Sequence, residues 1–315
     1  MHTHTNIKLY SENTFTLLFE NFQSYNRAKN LSPKTIRGYE QSKDAFLKFL
    51  GVKDFNLDSV SQDTIVNFIN HCRKNGNTET TINTKLTNLR TVFNYFAERE
   101  YMPPLKIRLI KATIPVKETY TDAELKILLE KPNIKKAGFD DYRNWVIVNY
   151  LLGTGNRLSS IINIQMKDVH LADNEVVLRH TKNKTQQIVP IGTTLKSVLA
   201  EYLRYRKPKY DTDYLFCTWH GEQLTEFGMV NAIARYNQRR GIEKRSIHLF
   251  RHTFARMFIL NGGDIFRLQK LLGHKNLEMV RRYVELWGQD LHRDYDKFNP
   301  LENIVTKKEH ISMKG

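Results

Sequence analysis

Cysteine is almost absent from this chain. Its 315 residues hold two, Cys72 and Cys217, far apart and in no metal-ligand spacing. That excludes a disulfide scaffold and a cysteine-built zinc site, and it fits a reducing cytosol. Long apolar runs are missing too. No segment approaches the roughly 18 apolar residues that a membrane span needs, and the first residues, MHTHTNIKLYSENTF, hold no apolar signal core. A cytoplasmic location without membrane contact is the expectation. Low-complexity tracts and internal repeats are absent as well. Acidic residues are in deficit: 33 Asp and Glu face 49 Lys and Arg, a formal net charge of +16. Such a surplus favours a polyanionic partner, nucleic acid before an anionic membrane surface. A soluble protein that merely happens to be basic is the plain alternative.

What is present suffices for two domains of ordinary size with normal cores, since 40% of residues are hydrophobic. Residues 12–28 carry Phe15, Leu18, Phe19, Phe22 and Tyr25 at helical spacing. A second helix follows Ser32 and Pro33, a cap and a first-turn proline, and Gly51 can end it. Residues 61–75 and 79–99 read as two more, the last with Ile82, Leu86, Leu89, Phe93 and Phe96 on one face. Residues 1–100 are therefore expected to be a four-helix domain. Its surface cations Lys34, Arg37, Lys43, Lys85 and Arg90 are candidate phosphate contacts, or ordinary solvated helix surface.

Pro103, Pro104 and Pro115 break the pattern. Residues 101–119 read as an extended basic linker. Thr121 and Glu124 then form a capping box ahead of LKILLE. Residues 139–153 read as a buried helix. MKDVHLA, NEVVLRHT and QQIVPI read as short strands of a small antiparallel sheet. Helices are expected again at about 193–206, 225–240, 247–261, 264–272 and 276–286. The fold class is thus mainly α, with a second domain over 120–290 that is mixed but mostly helical, and a tail over 291–315.

Metal-free cleavage of a phosphodiester needs a nucleophile, cations on the non-bridging oxygens and a proton donor for the leaving oxygen. Arginine forks match phosphate geometry. Arg157 follows a glycine turn in TGNR. His248 and Arg251 stand three apart in HLFR, on one face if helical; a capping histidine and a surface arginine are the alternative. Lys182 lies in the turn between two expected strands, where a lysine can deliver a proton, with Lys184 as its competitor. His274 follows Leu-Leu-Gly, and Tyr283 comes nine residues later. Among 15 tyrosines, a lone one proves nothing, and a core tyrosine on an amphipathic helix is the simpler reading of Tyr283.

Order and spacing together resemble the tyrosine recombinases, also called the phage integrase family. Their catalytic domain carries an arginine in TGxRxSE, a lysine at a hairpin turn, HxxR, a histidine or tryptophan after LG, and a tyrosine nine residues on. TGNRLSS matches at Arg157, HLFR at His248 and Arg251, and LLGH at His274. Lys182 stands eight residues before Pro190, which favours it over Lys184. Tyr283 falls at the nucleophile position, which Tyr236 and Tyr295 do not. The match covers residues 120–290, and more loosely the helical N-terminal domain, which looks like the family's core-binding (SAM-like) domain. Two departures stand out. Ser160 occupies the position of a usual acidic residue, and Asn183 replaces a glycine beside the lysine.

The resemblance implies a C-shaped clamp on double-stranded DNA, with Tyr283 forming a 3′-phosphotyrosyl bond. Arg157, Arg251 and His274 would hold the phosphate oxygens. Lys182 would protonate the leaving 5′ oxygen, and His248 would act as base or orient the phosphate. No cofactor or metal is implied. Recombination would proceed in a homotetramer through a Holliday junction, with the tail docking on a neighbouring protomer and accessory proteins as further partners. A bacterial protein associated with the nucleoid when on DNA follows. The two-domain plan suits members that integrate and excise mobile elements, toward which Ser160 leans, or Xer-type enzymes of chromosome dimer resolution. A topoisomerase or hairpin-forming resolvase would share the chemistry. A catalytically silent DNA-binding regulator is the reading from another class.

Overall fold

The structure, a computed structural model, describes residues 14–112, 118–179, 186–274, 277 and 281. The chain divides into two compact units, Met1–Pro115 and Val116–Gly315.

The first unit is helical: α1 (Phe15–Ala28), α2 (Pro33–Leu50), a 3-10 turn at Leu57–Ser59, α3 (Gln62–Lys74) and α4 (Glu79–Ala97). Local chemistry sets the ends. The Ser32 hydroxyl accepts from the Thr35 N–H with Pro33 at the first helical position, and Gly51 closes α2 at φ +72°. Ser61 and Thr64 form a reciprocal capping box at α3. The core is aromatic. Phe15, Phe19, Phe22, Phe46, Phe68, Phe93 and Phe96 are all buried, and Phe15 stacks on Phe55 with centroids 4.6 Å apart. Each such ring contributes about 1.5–3 kcal/mol relative to exposure. Beyond α4 the chain stays on this core. Met102 and Ile107 are buried in it, and Asn83 on α4 exchanges two 2.9 Å bonds with the backbone of Ile110.

In the second unit, α5 (Asp122–Leu129) starts at the Thr121–Glu124 capping box. Helix α6 (Phe139–Thr154) is buried along most of its length and packs against α5, α8 (Thr193–Arg206), α9 (Glu226–Arg239) and α10 (His248–Leu260). Between α6 and α8 lie a short α7 (Leu158–Ile161) and the strands β1 (Val169–His170), β2 (Glu175–Leu178) and β3 (Gln187–Pro190). The sheet is antiparallel in the order β1-β2-β3, with Val176 opposite both Val169 and Val189. Helix α11 (Ile265–Leu272) follows α10.

The first strand is shorter than MKDVHLA suggested. Met166–Asp168 turns as a 3-10 helix, because the buried Asp168 carboxylate accepts from the Gln165 N–H and pairs with Arg179. Of the helix expected over 276–286, Leu277 and Arg281 are described, and the Arg281 N–H donates to the Leu277 carbonyl at 2.8 Å. Lys182, Lys184, Tyr283, Tyr295 and the tail 291–315 lie outside the described residues.

Candidate active site

A helix leaves its last four carbonyls without partners inside the helix. At the end of α11 side chains from elsewhere in the sequence meet that need. The Gln187 amide donates to the carbonyls of Lys270, at 2.9 Å, and Leu271, at 2.8 Å. Arg251 Nη2 donates to Leu272 at 2.7 Å. Arg157 Nη1 donates to Gly273 at 3.2 Å. Gly273 itself turns left-handed, at φ +59°. Two guanidiniums thus rest on the negative end of a helix, where cations are favoured.

The sequence brings each group there for local reasons. Gly155 ends α6 at φ +62°, and a Cβ on it would lie 2.4 Å from Phe254, so both backbone and packing require glycine. Its carbonyl accepts from Arg251 Nη1 at 2.8 Å. Asn156 is buried and donates to the Tyr150 hydroxyl at 3.1 Å. The TGN turn is therefore fixed on three sides, and Arg157 leaves it half-buried toward α11. Arg251 lies inside α10 and is buried, whereas His248, at the first residue of that helix, is exposed. Ser160 is buried within α7, just after Arg157.

His274 completes the cluster. It is buried, and its Nε2 lies 2.7 Å from Arg251 Nη2. Arginine only donates, so Nε2 is the acceptor and the ring proton sits on Nδ1. Burial first, then the positive charges of Arg251, Arg157 and His252, lower its pKa to about 4. Nδ1 is buried with no hydrogen-bond partner among the described residues. Two guanidinium forks and an imidazole in one network can bind an anion that offers several acceptor oxygens.

Other tyrosines are removed from contention as nucleophiles. Tyr120, Tyr150, Tyr202 and Tyr236 are fully buried. The Tyr202 hydroxyl donates to the Leu215 carbonyl and that of Tyr236 to Leu128. Burial pushes all four pKa values up, that of Tyr236 to about 12.

In the first unit Lys34 and Arg37 are exposed on α2. Lys43 lies 3.5 Å from Asp44 and over the Phe19 ring. Lys85 is half-buried, its Nζ 2.6 Å from Asn77 Oδ1, and so braces the loop after α3. Arg90 is half-buried on α4. Sequence reasoning missed Gln187, which it read only as part of a strand. Nothing in QQIVPI marks a glutamine that caps a helix 83 residues away. Among the described residues, no group of three or more His, Cys, Asp or Glu is placed to hold a metal ion, and no helix is long and apolar enough to cross a membrane.

Residues 118–289 match the phage integrase family, and residues 19–100 match the phage integrase N-terminal SAM-like domain. Tyrosine recombinase XerD of Listeria innocua is 28% identical over 285 residues, covering 86% of this chain and 94% of that protein. Tyrosine recombinase XerC of Staphylococcus haemolyticus is 28% identical over 289 residues, covering 89% and 95%. The crystal structure of XerA recombinase aligns with a TM-score of 0.50 at 25% identity, over 90% of this chain and 99% of that one. The Tn1549 transposon integrase, solved with transposon right end DNA, shares the fold with a TM-score of 0.68 at 19% identity, over 88% and 98%. Matched over more than half its length by the catalytic-domain model, the chain belongs to the phage integrase family and is a tyrosine site-specific DNA recombinase.

Proposed function

We propose that Arg157, Arg251 and His274 form the cradle for the scissile phosphate of duplex DNA, and that Tyr283 attacks it. The observation that carries this reading is the convergence of both guanidiniums and the imidazole on the end of α11. Tyr283 Oη bonds to phosphorus, the bond to the 5′ oxygen breaks, and that oxygen takes a proton from Lys182. His248 receives the tyrosine proton or orients the phosphate. The 3′-phosphotyrosyl bond keeps the energy of the broken ester, so a partner strand's 5′ hydroxyl reseals it. In the free protein His274 accepts from Arg251. A bound phosphate offsets the two arginines, favours the imidazolium and turns His274 Nε2 from an acceptor into a donor.

Lys34, Arg37, Lys43, Lys85 and Arg90 add phosphate contacts from the helical unit, with Lys85 the weakest candidate because Asn77 already holds it. Cutting and rejoining two sites calls for four protomers and a Holliday junction, the tail 291–315 docking on a neighbour. The biological role we favour is integration and excision of a mobile element; Ser160 is the feature that sets this chain apart from the usual acidic pattern. Xer-type resolution is the second reading, favoured by the length over which the chain matches XerD and XerC.

A suicide duplex nicked beside the scissile phosphate tests the chemistry. Wild-type protein should form a covalent adduct that Tyr283→Phe does not. An adduct that persists in Tyr283→Phe reassigns the nucleophile, and no adduct on any cognate site favours a silent DNA binder.

A further inference from the structure

We infer that Gln187 is a positioning residue for strand cleavage, holding the turn of Gly273 and His274 in the place that Arg157 and Arg251 need. The inference rests on the phosphate-binding reading of Arg157, Arg251 and His274.

Gln187 opens β3 and is paired across the sheet with Leu178. Its backbone therefore belongs to the sheet, while its side chain reaches α11. One Nε2 donates to two successive carbonyls, Lys270 at 2.9 Å and Leu271 at 2.8 Å. Its Oε1 lies 2.8 Å from the point where a Cβ on Gly273 would stand. The amide thus occupies the space that a side chain at Gly273 would need.

Helix α11 has eight residues. Its own closing bonds, Gly273 N–H to Lys270 and His274 N–H to Gln269, tie the turn only to the helix it ends. Gln187 ties the same turn to the sheet. The next two carbonyls along the chain are the ones on which Arg251 and Arg157 rest. A loosened turn displaces both supports and the imidazole together. Reacting groups misplaced by about 1 Å can lose ~100-fold in rate.

Three variants test this. Gln187→Met keeps the length and removes the donor. Gln187→Glu keeps the shape and sets a carboxylate against carbonyl oxygens. Gln187→Lys restores donors at a helix end that favours cations. Single-turnover cleavage should fall ~100-fold in the first two, with duplex binding little changed, and recover most of its rate in the third. The His274 imidazole, followed by NMR, should titrate higher in Gln187→Met than in the wild type. A substrate with sulfur in the 5′ bridging position needs no leaving-group proton, and it should leave the loss in place.

Wild-type cleavage by Gln187→Met overturns the inference. So does full relief by the sulfur substrate, which would move the effect to the leaving group. Arg157→Ala and Arg251→Ala controls separate the two layers. If both cleave normally, the phosphate reading itself fails; if both are inactive while Gln187→Met is normal, only the role of Gln187 fails.

Discussion

The interiors of the two units are built differently. The first is a cluster of phenylalanine rings, with Gln23, Asn26 and Ser42 as its buried polar residues among those described. The second buries Arg143, Asn144, Thr154, Asn156, Ser160, Asp168, Asn237, Arg251, Thr253 and His274. Polar groups are costly to bury unless hydrogen-bonded, so the second interior depends on internal hydrogen bonds more than the first. Burial alone does not identify the site. Arg143 is as deeply buried as Arg251, but it bonds Asp140, Asn144 and the Cys217 carbonyl, a neutralised structural pair. Arg251 shares its helix end with a second arginine and a depressed histidine. The neighbours, more than the burial, separate the two.

The contrast can be broken at several points. The largest effect is expected from Arg251→Ala, which removes a donor from the proposed cradle. Single-turnover cleavage should fall at least ~100–1000-fold, whereas Arg143→Met should leave cleavage by the folded protein nearly intact. In the first unit, Phe46→Ala should cost about 3–5 kcal/mol by denaturant unfolding and leave the second unit's transition in place. A common shift of both transitions would show that the interiors are not independent. Gly273→Ala meets a left-handed backbone and the Gln187 amide; about 1–2 kcal/mol of backbone cost should come with a larger loss in cleavage than in stability.

Acid should act on the second unit through His274. Its pKa lies at about 4 in the fold against an ordinary 6.5. Between those values the unfolded chain binds more protons, so this group lowers stability as pH falls through the window and has no effect above it. His274→Asn should flatten that part of the pH profile. The smallest effects are expected on the first unit's surface. Lys34→Ala and Arg37→Ala should each reduce the salt dependence of DNA binding by about one counterion; an unchanged slope would leave them as solvated surface.

Helix ends were legible because their determinants are local. Ser32 with Pro33, Gly51, and Thr121 with Glu124 can each be read within a few residues. The start of the sheet was less so, because Asp168 turns the chain with help from Arg179, which lies beyond the next turn. Arg157, Arg251 and His274 could be picked out by order and spacing. Their common support could not, since Arg251 meets Gly155 across 96 positions and Arg157 meets Gly273 across 116. The charge surplus could not sort one lysine from another. Lys85 looked like its neighbours until its bond to Asn77 set it apart.

On the proposed reading, the buried cluster at the end of α11 binds the non-bridging oxygens of the scissile phosphate. A duplex with a methylphosphonate at that position replaces one non-bridging oxygen by a methyl group and is uncharged there. Compared with wild type, Arg251→Ala and Arg157→Ala should be slow on the phosphate and lose most of that handicap on the methylphosphonate. An equal handicap on both substrates would contradict the claim and leave the arginines as supports of the fold.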